Sequence, residues 1–504
     1  MTVATSPATA IGADGSVLRV YDAGRGGVVA ELTVDDPESV AAAAERARGA
    51  QAAWGKLSVR ERAAALRAAR RELVRDRSAI LELLDRETGK PRFDTVGELF
   101  GVCLEIGYLA RRAHRFLKPR RRSPKPLFGK RALVSYRPRG LIGVIAPWNA
   151  PLNLALGDAA PALLAGNAVL VKPSEVTPLA VRRAVEAMNR ALPADLLQVL
   201  VGAAETGAAL VDHVDMICVT GSPETGRRVM QRASLRLTPT LLELGGKDPM
   251  IVLGDANLER AANAAAWGGC MMTGQVCMSV ERVYVEAPVA DAFTSAIVDK
   301  VRSLRSGANG PEAEIDFGAF TSRRQVETVE RHLADAVAKG ARVLTGGRRR
   351  GGGEVVFFEP TVIADVDHSM LLMQEETFGP VIPIMKVADA EEAIRLANDS
   401  CYGLNASVWT RDVSRGIELA RRIDSGSVCV NECLLSAGCS DLPFGGVKQS
   451  GVGMRHGGAE GLRQFCVAQA MLVDRGARKR ELAWFPYSVK RARWMERLMG
   501  LLWG

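Results

Sequence analysis

Between residues 38 and 118 the apolar positions recur at three- and four-residue steps. In SVAAAAERARGAQAAW and RERAAALRAARRELVRDRSAILELLDRETGK, alanine, leucine and isoleucine fall at i, i+3 and i+4 with arginines opposite, which predicts amphipathic helices. The basic stretch that follows, FLKPRRRSPKPLFGKR, carries prolines that argue against one continuous helix. From Arg131 the texture changes. RALVSYRPRGLIGVIAP holds two short β-prone runs, expected to pair as a hairpin. NAVLVKPSE reads as a buried strand and TPLAVRRAVEAMNRAL as the helix after it; LLQVLVG and DMICVTGSPETGRRVMQRA then repeat strand, glycine loop and helix. Such alternation predicts parallel strands with crossover helices, an α/β fold. A second α/β region is expected from about Pro249 to Asn431, with strands in SVERVYVEA and ARVLTGG.

At 504 residues the chain is long enough for two or three domains. Its apolar and charged fractions, 47% and 24%, are those of a soluble globular protein and exclude disordered and fibrous classes. The nine cysteines contain no CxxC, and Cys429 and Cys433, with three residues between them, match no zinc spacing. With five dispersed histidines, this points to a reduced, cytoplasmic setting without disulfides or a metal. The N-terminal MTVATSPATAIGADG lacks a basic region and an apolar core, so no signal peptide is expected. No uncharged apolar run is long enough for an ordinary membrane span. The net charge of +9 is modest and unevenly spread, and nucleic acid is not an expected partner.

Several short stretches could carry chemistry, each with a plainer alternative. The loop Gly221-Ser222-Pro223-Glu224-Thr225-Gly226 opens a helix after a strand, and free N–H groups there suit a pyrophosphate; glycine also serves such turns for steric reasons alone. Lys172 and Glu175 leave the end of another strand, where open α/β sheets bind ligands. Glu175 either accepts from a ribose hydroxyl or begins the next helix. Glu243, in LLELGGKDP, is a carboxylate among apolar residues: either paired, or raised in pKa as a general base needs. Asn149 stands near two prolines in PWNAP, rigidly enough to donate to an oxyanion, although asparagine also suits turns. QEETFGP adds Glu375 and Glu376, and DLPFGGVKQSG is another glycine-rich loop. Cys277, in TGQVCMSVER, is by itself one more small buried residue.

Taken together, the ordered motifs PWN, KPSE, TGS, ELGGK, GQxC, EETFGP and PFGGxKxSG resemble the aldehyde dehydrogenase superfamily over roughly residues 20–470. The resemblance implies that Cys277 is the nucleophile, Asn149 an oxyanion donor and Glu243 the general base. It implies cofactor contacts at Ile145, Trp148, Lys172, Glu175, Gly221, Ser222, Glu376 and Phe378, with NAD as cofactor and NADP possible. The implied architecture is a Rossmann-like cofactor domain (1–128 and 141–245), an α/β catalytic domain (246–448) and a small β oligomerisation element (129–140 and 449–480). A hairpin near 130–140 would join a late strand near 466–474 and assemble a homodimer or tetramer. APWNAPL, ELGGKDPMIV and GLNASVW are similar to succinic-semialdehyde dehydrogenase-like members. Against that substrate, the tunnel positions Trp267, Met271, Val276 and Met278 are all apolar, which favours an aliphatic or aromatic aldehyde. Succinic semialdehyde is the alternative. A CoA-acylating reaction is a further one, opposed by Glu243.

Residues 481–504 extend beyond the family's usual end. From Ser488 to Trp503, Ala492, Met495, Leu498, Met499 and Leu502 recur at helical steps, with Lys490, Arg493 and Arg497 on another face. Such a tail either packs on the protein or lies against an anionic membrane, with the basic residues from Lys118 to Arg131 in support.

Overall fold

The predicted helical region is four helices, Pro37–Trp54, Val59–Arg75, Arg77–Thr88 and Arg92–Phe116. Their ends follow from local chemistry. Ser58 accepts from the Glu61 N–H at 3.3 Å while the Ser58 N–H donates to the Glu61 carboxylate at 2.7 Å, a reciprocal cap. Gly89, at φ +68°, closes the third helix in a left-handed conformation. This computed structural model describes residues 9–504 apart from 13, 14, 126, 128, 352, 475, 477, 478 and 482. Residues 1–8, on which the reading of the N-terminus partly rests, lie outside the described residues, as do those positions of the basic and C-terminal stretches.

Two sheets organise the larger unit, Met1–Leu117 with Arg137–Val467. The first has six strands, in the spatial order Gly451–Val452, Thr240–Glu243, Met216–Thr220, Leu141–Ile145, Ala168–Lys172 and Leu197–Val199. All pairs are parallel except the edge strand Gly451–Val452. The second has seven, in the order Arg342–Thr345, Thr361–Ala364, Val381–Val387, Val280–Glu286, Asp248–Val252, Asn405–Trp409 and Ser427–Val430. It too is parallel apart from the pairing of its first two strands. Strands buried on both faces read as continuous apolar runs, which is why MICVT and DPMIV stand out in the sequence.

The hairpin expected within Arg131–Pro147 does not form. Leu141–Ile145 pairs in parallel with Ala168–Lys172 and Met216–Thr220, because four of its five residues are fully buried and need cover on both faces. Lys130–Pro138, half-exposed along its length, pairs antiparallel with Arg120–Arg122 instead. The expected element near 130–140 is therefore a hairpin with the residues before it. In the smaller unit, Lys118–Tyr136 with Ala468–Gly504, these two strands and Cys466–Asp474 make a three-stranded sheet with Lys130–Pro138 in the middle. The predicted tail helix spans Val489–Trp503, capped by Ser488, whose hydroxyl accepts from the Arg491 N–H at 3.2 Å.

Candidate active site

Residues at the carboxyl ends of the first sheet's parallel strands face residues at the amino ends of the second. Ile145, Lys172, Thr220 and Glu243 each end a strand of the six-stranded sheet. Gly246, Cys277 and Phe378 lie just ahead of the strands Asp248–Val252, Val280–Glu286 and Val381–Val387. Between them opens a cleft of about 270 Å³. Trp148, Asn149, Gly221 and Ser222 line it on one side, and Cys277, Glu376 and Phe378 on the other.

Cys277 sits on a turn that ordinary residues do not adopt freely. Met272 and Thr273 hold φ of +51° and +60°, and Gly274 follows at +69°. A Cβ on Gly274 would lie 2.2 Å from the Gly379 backbone, so only glycine fits there. Such strain costs on the order of 1–3 kcal/mol per residue and persists only where the surroundings fix it. Here the Met272 N–H donates to Asp94 at 3.3 Å and the Thr273 hydroxyl to Gly318 O at 3.2 Å. Gln275 donates to Met272 O at 3.1 Å and accepts from the Thr321 N–H at 3.1 Å. Gly246 admits the Cys277 carbonyl, which would be 2.3 Å from any Cβ placed there. Cys277 itself is half-buried; desolvation, then the carboxylates of Glu376, Asp248 and Glu243, push its thiol up to about 12.

Asn149 is held from both ends. Its side-chain amide donates to Gln275 O at 2.9 Å, directly before the Cys277 segment. Its backbone carbonyl accepts from the Lys90 ammonium at 2.8 Å, and Lys90 is paired with buried Glu98. Glu98 also accepts from the Leu152 and Asn153 N–H groups at 3.1 and 3.3 Å, at the start of helix Pro151–Ala165. A buried ion pair thus fixes the entry of that helix and the asparagine before it.

Glu243 is 2% exposed, and both carboxyl oxygens are buried without a hydrogen-bond partner among the described residues. Desolvation pushes its pKa up to about 8, with Arg455 opposing and Asp158 assisting. Of the two readings the sequence allowed, paired or raised, the raised one holds. Arg455 reaches buried Asp158 through two nitrogens at 2.8 and 2.5 Å. Replacing Arg455 by methionine leaves Asp158 as an unpaired buried charge, so the expected loss is about 3–5 kcal/mol of stability. Denaturant titration of the variant checks this; an unchanged midpoint would show that the pair is dispensable.

The remaining positions frame the other half of the cleft. Trp148 and Phe378 meet edge to face, centroids 5.4 Å apart. Phe378, at φ +51°, is fixed by Glu281, which accepts from the Thr377 and Phe378 N–H groups at 2.8 and 2.7 Å and pairs with Lys247 at 2.6 Å. Glu376 accepts from the Gly246 N–H at 3.1 Å, and burial raises its pKa to about 8. Its neighbour Glu375 points elsewhere, to Arg331 at 2.8 Å and His332 at 3.2 Å. Ser222 caps helix Pro223–Ser234 and lies in the cleft with Gly221, so the positive end of that helix opens on it. Ile145, Lys172 and Glu175 are not part of the lining. Lys172 turns inward, donating to Pro173 O at 2.8 Å and Gly202 O at 3.0 Å, and desolvation lowers its pKa. Glu175 is half-exposed, 3.9 Å from that ammonium. A glycine-floored cleft with a helix N-terminus, two aromatic rings and an acid beyond it fits an extended dinucleotide.

Lys90, Glu98, Asp158, Glu281 and Arg455 support the site and were not anticipated. Arg455 meets Asp158 across 297 residues and leaves no local pattern; Lys90 and Glu98 are only eight residues apart, but nothing in that spacing marks the pair as buried. Among the described residues no group of acids, histidines and cysteines is arranged to hold a metal, and no helix is long and apolar enough to cross a membrane.

Comparison with known proteins agrees with this geometry. The model of the aldehyde dehydrogenase family matches residues 11–471. A Mycobacterium ulcerans chain provisionally named succinate-semialdehyde dehydrogenase, NADP(+), 2 is 42% identical over 448 residues, 88% of this chain and 86% of that one. The 4,4'-diapolycopene aldehyde oxidase of a Methylomonas species is 40% identical over 469 residues, 92% of this chain and 87% of that one. Among solved structures, a Mycobacterium tuberculosis aldehyde dehydrogenase complexed with NAD+ superposes with a TM-score of 0.87 at 35% identity, covering 92% of this chain and 96% of that one. With the ordered motifs, the two-sheet cleft and these relatives in agreement, the chain belongs to the aldehyde dehydrogenase family.

Proposed function

We propose that this enzyme oxidises an apolar aliphatic or aromatic aldehyde to the carboxylic acid, with NAD as cofactor, through a thiohemiacetal and a thioester on Cys277. The observation that carries the reading is the convergence of Cys277 and the Asn149 amide on one cleft, with the buried, unpartnered Glu243 carboxyl at the adjoining strand end. Cys277 Sγ attacks the aldehyde carbon as thiolate, and the oxyanion that forms takes hydrogen bonds from the Asn149 amide and the Cys277 N–H. One N–H of the Asn149 amide holds Gln275 O at 2.9 Å, and its second N–H is the one assigned to the oxyanion. NAD supplies the acceptor for the hydride that leaves the thiohemiacetal carbon. Glu243 removes the thiol proton before attack, releases it to solvent once the thioester has formed, and then takes the proton of the water that hydrolyses the thioester. Ile145, Lys172 and Glu175 are assigned to the adenosine side, Gly221 and Ser222 to the pyrophosphate, and Trp148, Glu376 and Phe378 to the nicotinamide side.

In domain terms, 1–128 and 141–245 serve the cofactor, 246–448 carry the chemistry, and 129–140 with 449–480 mediate assembly. Supporting a homodimer or tetramer, the strand Cys466–Asp474 is a sheet edge, and its Val467, Met471, Leu472 and Val473 are exposed.

Supporting the apolar substrate class, Met278 is buried and Met271 and Val276 pack half-buried with Cys277 against the same core, although none of them lines the cleft itself. Trp267 is partly exposed in a separate pocket, beside Leu435 but also Glu259, Arg260 and Glu432. Cations near the site already have partners: Lys90 with Glu98, Lys247 with Glu281, Arg455 with Asp158, and Arg260 with Asn431 O at 3.2 Å. An anionic semialdehyde would meet apolar side chains where it needs a cation. The relative named for a carotenoid aldehyde is in keeping with this, and the one named for succinate semialdehyde is the competing case.

A panel of aldehydes of graded chain length and terminal charge, read by NADH absorbance, tests the reading. Long apolar aldehydes are expected to give the highest kcat/KM, and a preference for succinic semialdehyde would overturn the substrate assignment. With NADP in place of NAD, kcat/KM is expected to fall roughly tenfold, since Glu175 stands where the 2′-phosphate would bring like charge.

A further inference from the structure

The smaller unit, Lys118–Tyr136 with Ala468–Gly504, holds fifteen of the chain's Lys and Arg residues and three of its acids. Its net charge is +12, so the rest of the chain, with 51 basic and 54 acidic residues, is slightly negative. The modest overall charge therefore conceals a strongly basic element. Its acids hardly dilute it: Asp474 and Glu481 both pair with Lys130, which leaves Glu496 facing the other basic groups. Arg120, Arg121 and Arg122 are all exposed along their strand, as are Lys118, Lys125 and Arg131.

The same unit carries the chain's most exposed apolar helix. No residue of Val489–Trp503 is buried, and Leu501 and Trp503 are 83% and 80% exposed. On a helical wheel Ala492, Met495, Leu498, Met499 and Leu502 share one arc, into which Arg491 also falls at the helix start, and Trp494 and Trp503 stand at its two borders. Lys490, Arg493 and Arg497 occupy the opposite side. Just ahead, Trp484, Phe485 and Tyr487 are more than half exposed. Fifteen residues span about 22 Å at ~1.5 Å each, too short and too charged to cross a bilayer.

We propose that this unit docks the enzyme on an anionic phospholipid bilayer, with helix Val489–Trp503 lying in the membrane interface. The aliphatic arc enters the acyl boundary, the bordering tryptophans sit at headgroup level, and the basic face and the arginine strand meet lipid phosphates. A nucleic acid would satisfy the charge but leave Met495, Leu498, Met499 and Leu502 in water. A second copy of the helix would cover the apolar arc but set +3 against +3, counting Lys490, Arg491, Arg493 and Arg497 against Glu496. A bilayer meets both requirements at once. It is also where a long apolar aldehyde resides, although the docking itself does not depend on the substrate assignment.

The test is co-sedimentation of the full chain with phosphatidylcholine vesicles with and without phosphatidylglycerol, at low and raised salt. Binding is expected to require phosphatidylglycerol and to weaken with salt. The double variant Leu498→Glu/Leu502→Glu and the triple variant Lys490→Gln/Arg493→Gln/Arg497→Gln should each lose it while keeping native mass and aldehyde oxidation. The triple variant should partition on the order of a hundredfold more weakly, each cation contributing about fivefold. The proposal fails if the wild type stays in the supernatant or sediments equally with neutral vesicles. It also fails if the variants change the native mass, which makes the helix an assembly contact. Retarded migration of duplex DNA without vesicle binding would overturn it in favour of nucleic acid.

Discussion

Cys277→Ser is expected to abolish aldehyde-dependent NADH formation, by on the order of 10⁴-fold or more, with fold and NAD binding unchanged. The substitution exchanges sulfur for oxygen at a half-buried position, so packing barely changes, but a serine hydroxyl ionises far less readily than a thiol. The surroundings sharpen the effect. Desolvation and three nearby carboxylates already push the Cys277 thiol up to about 12, so even the native nucleophile depends on a base to take its proton. Cys270 provides the control. It ends helix Leu258–Cys270 inside the core, its thiol also raised to about 12 by burial alone, and Cys270→Ser should leave turnover near the wild-type level. Intact activity in Cys277→Ser, or its loss in Cys270→Ser with the fold preserved, would contradict the assignment.

The second large effect concerns Glu243→Gln. The amide keeps the shape and can no longer accept a proton, so hydrolysis of the acyl-enzyme should slow by roughly 10²–10⁴-fold, the usual share of a general base. Hydride transfer, one step earlier, should survive better, giving a burst of NADH followed by slow turnover. The pH dependence has a defined sign. Burial raises the Glu243 pKa to about 8, so the active carboxylate is the minor form at neutral pH. Deacylation should rise with pH through about 8 and level off above it, and that rise should be missing in Glu243→Gln. Steady-state rates that are identical in wild type and variant, at every pH, would remove Glu243 from the mechanism.

The elements that were legible in the sequence carry their own local signals. The four helices between Pro37 and Phe116 and the tail helix are marked by helical apolar spacing. Buried parallel strands such as Met216–Thr220 show as short apolar runs between turns. What such a run does not disclose is its partner, and hence Leu141–Ile145 was assigned to a hairpin although burial on both faces takes it into the six-stranded sheet. At the site, no single residue announced itself. Cys277 is one cysteine of nine, and the fixed order of motifs along the chain singled it out. The ion pair of Arg455 with Asp158 is invisible in the sequence for a physical reason: its partners lie 297 residues apart and meet only in the folded chain.

The central claim is a covalent acyl-enzyme on Cys277, and intact-protein mass spectrometry of Glu243→Gln, quenched just after the NADH burst, tests it directly. A mass increase equal to the acyl group is expected, located on the peptide containing Cys277 and absent in the double variant Cys277→Ser/Glu243→Gln. An NADH burst with unmodified protein, or an acyl group on another cysteine, would contradict it.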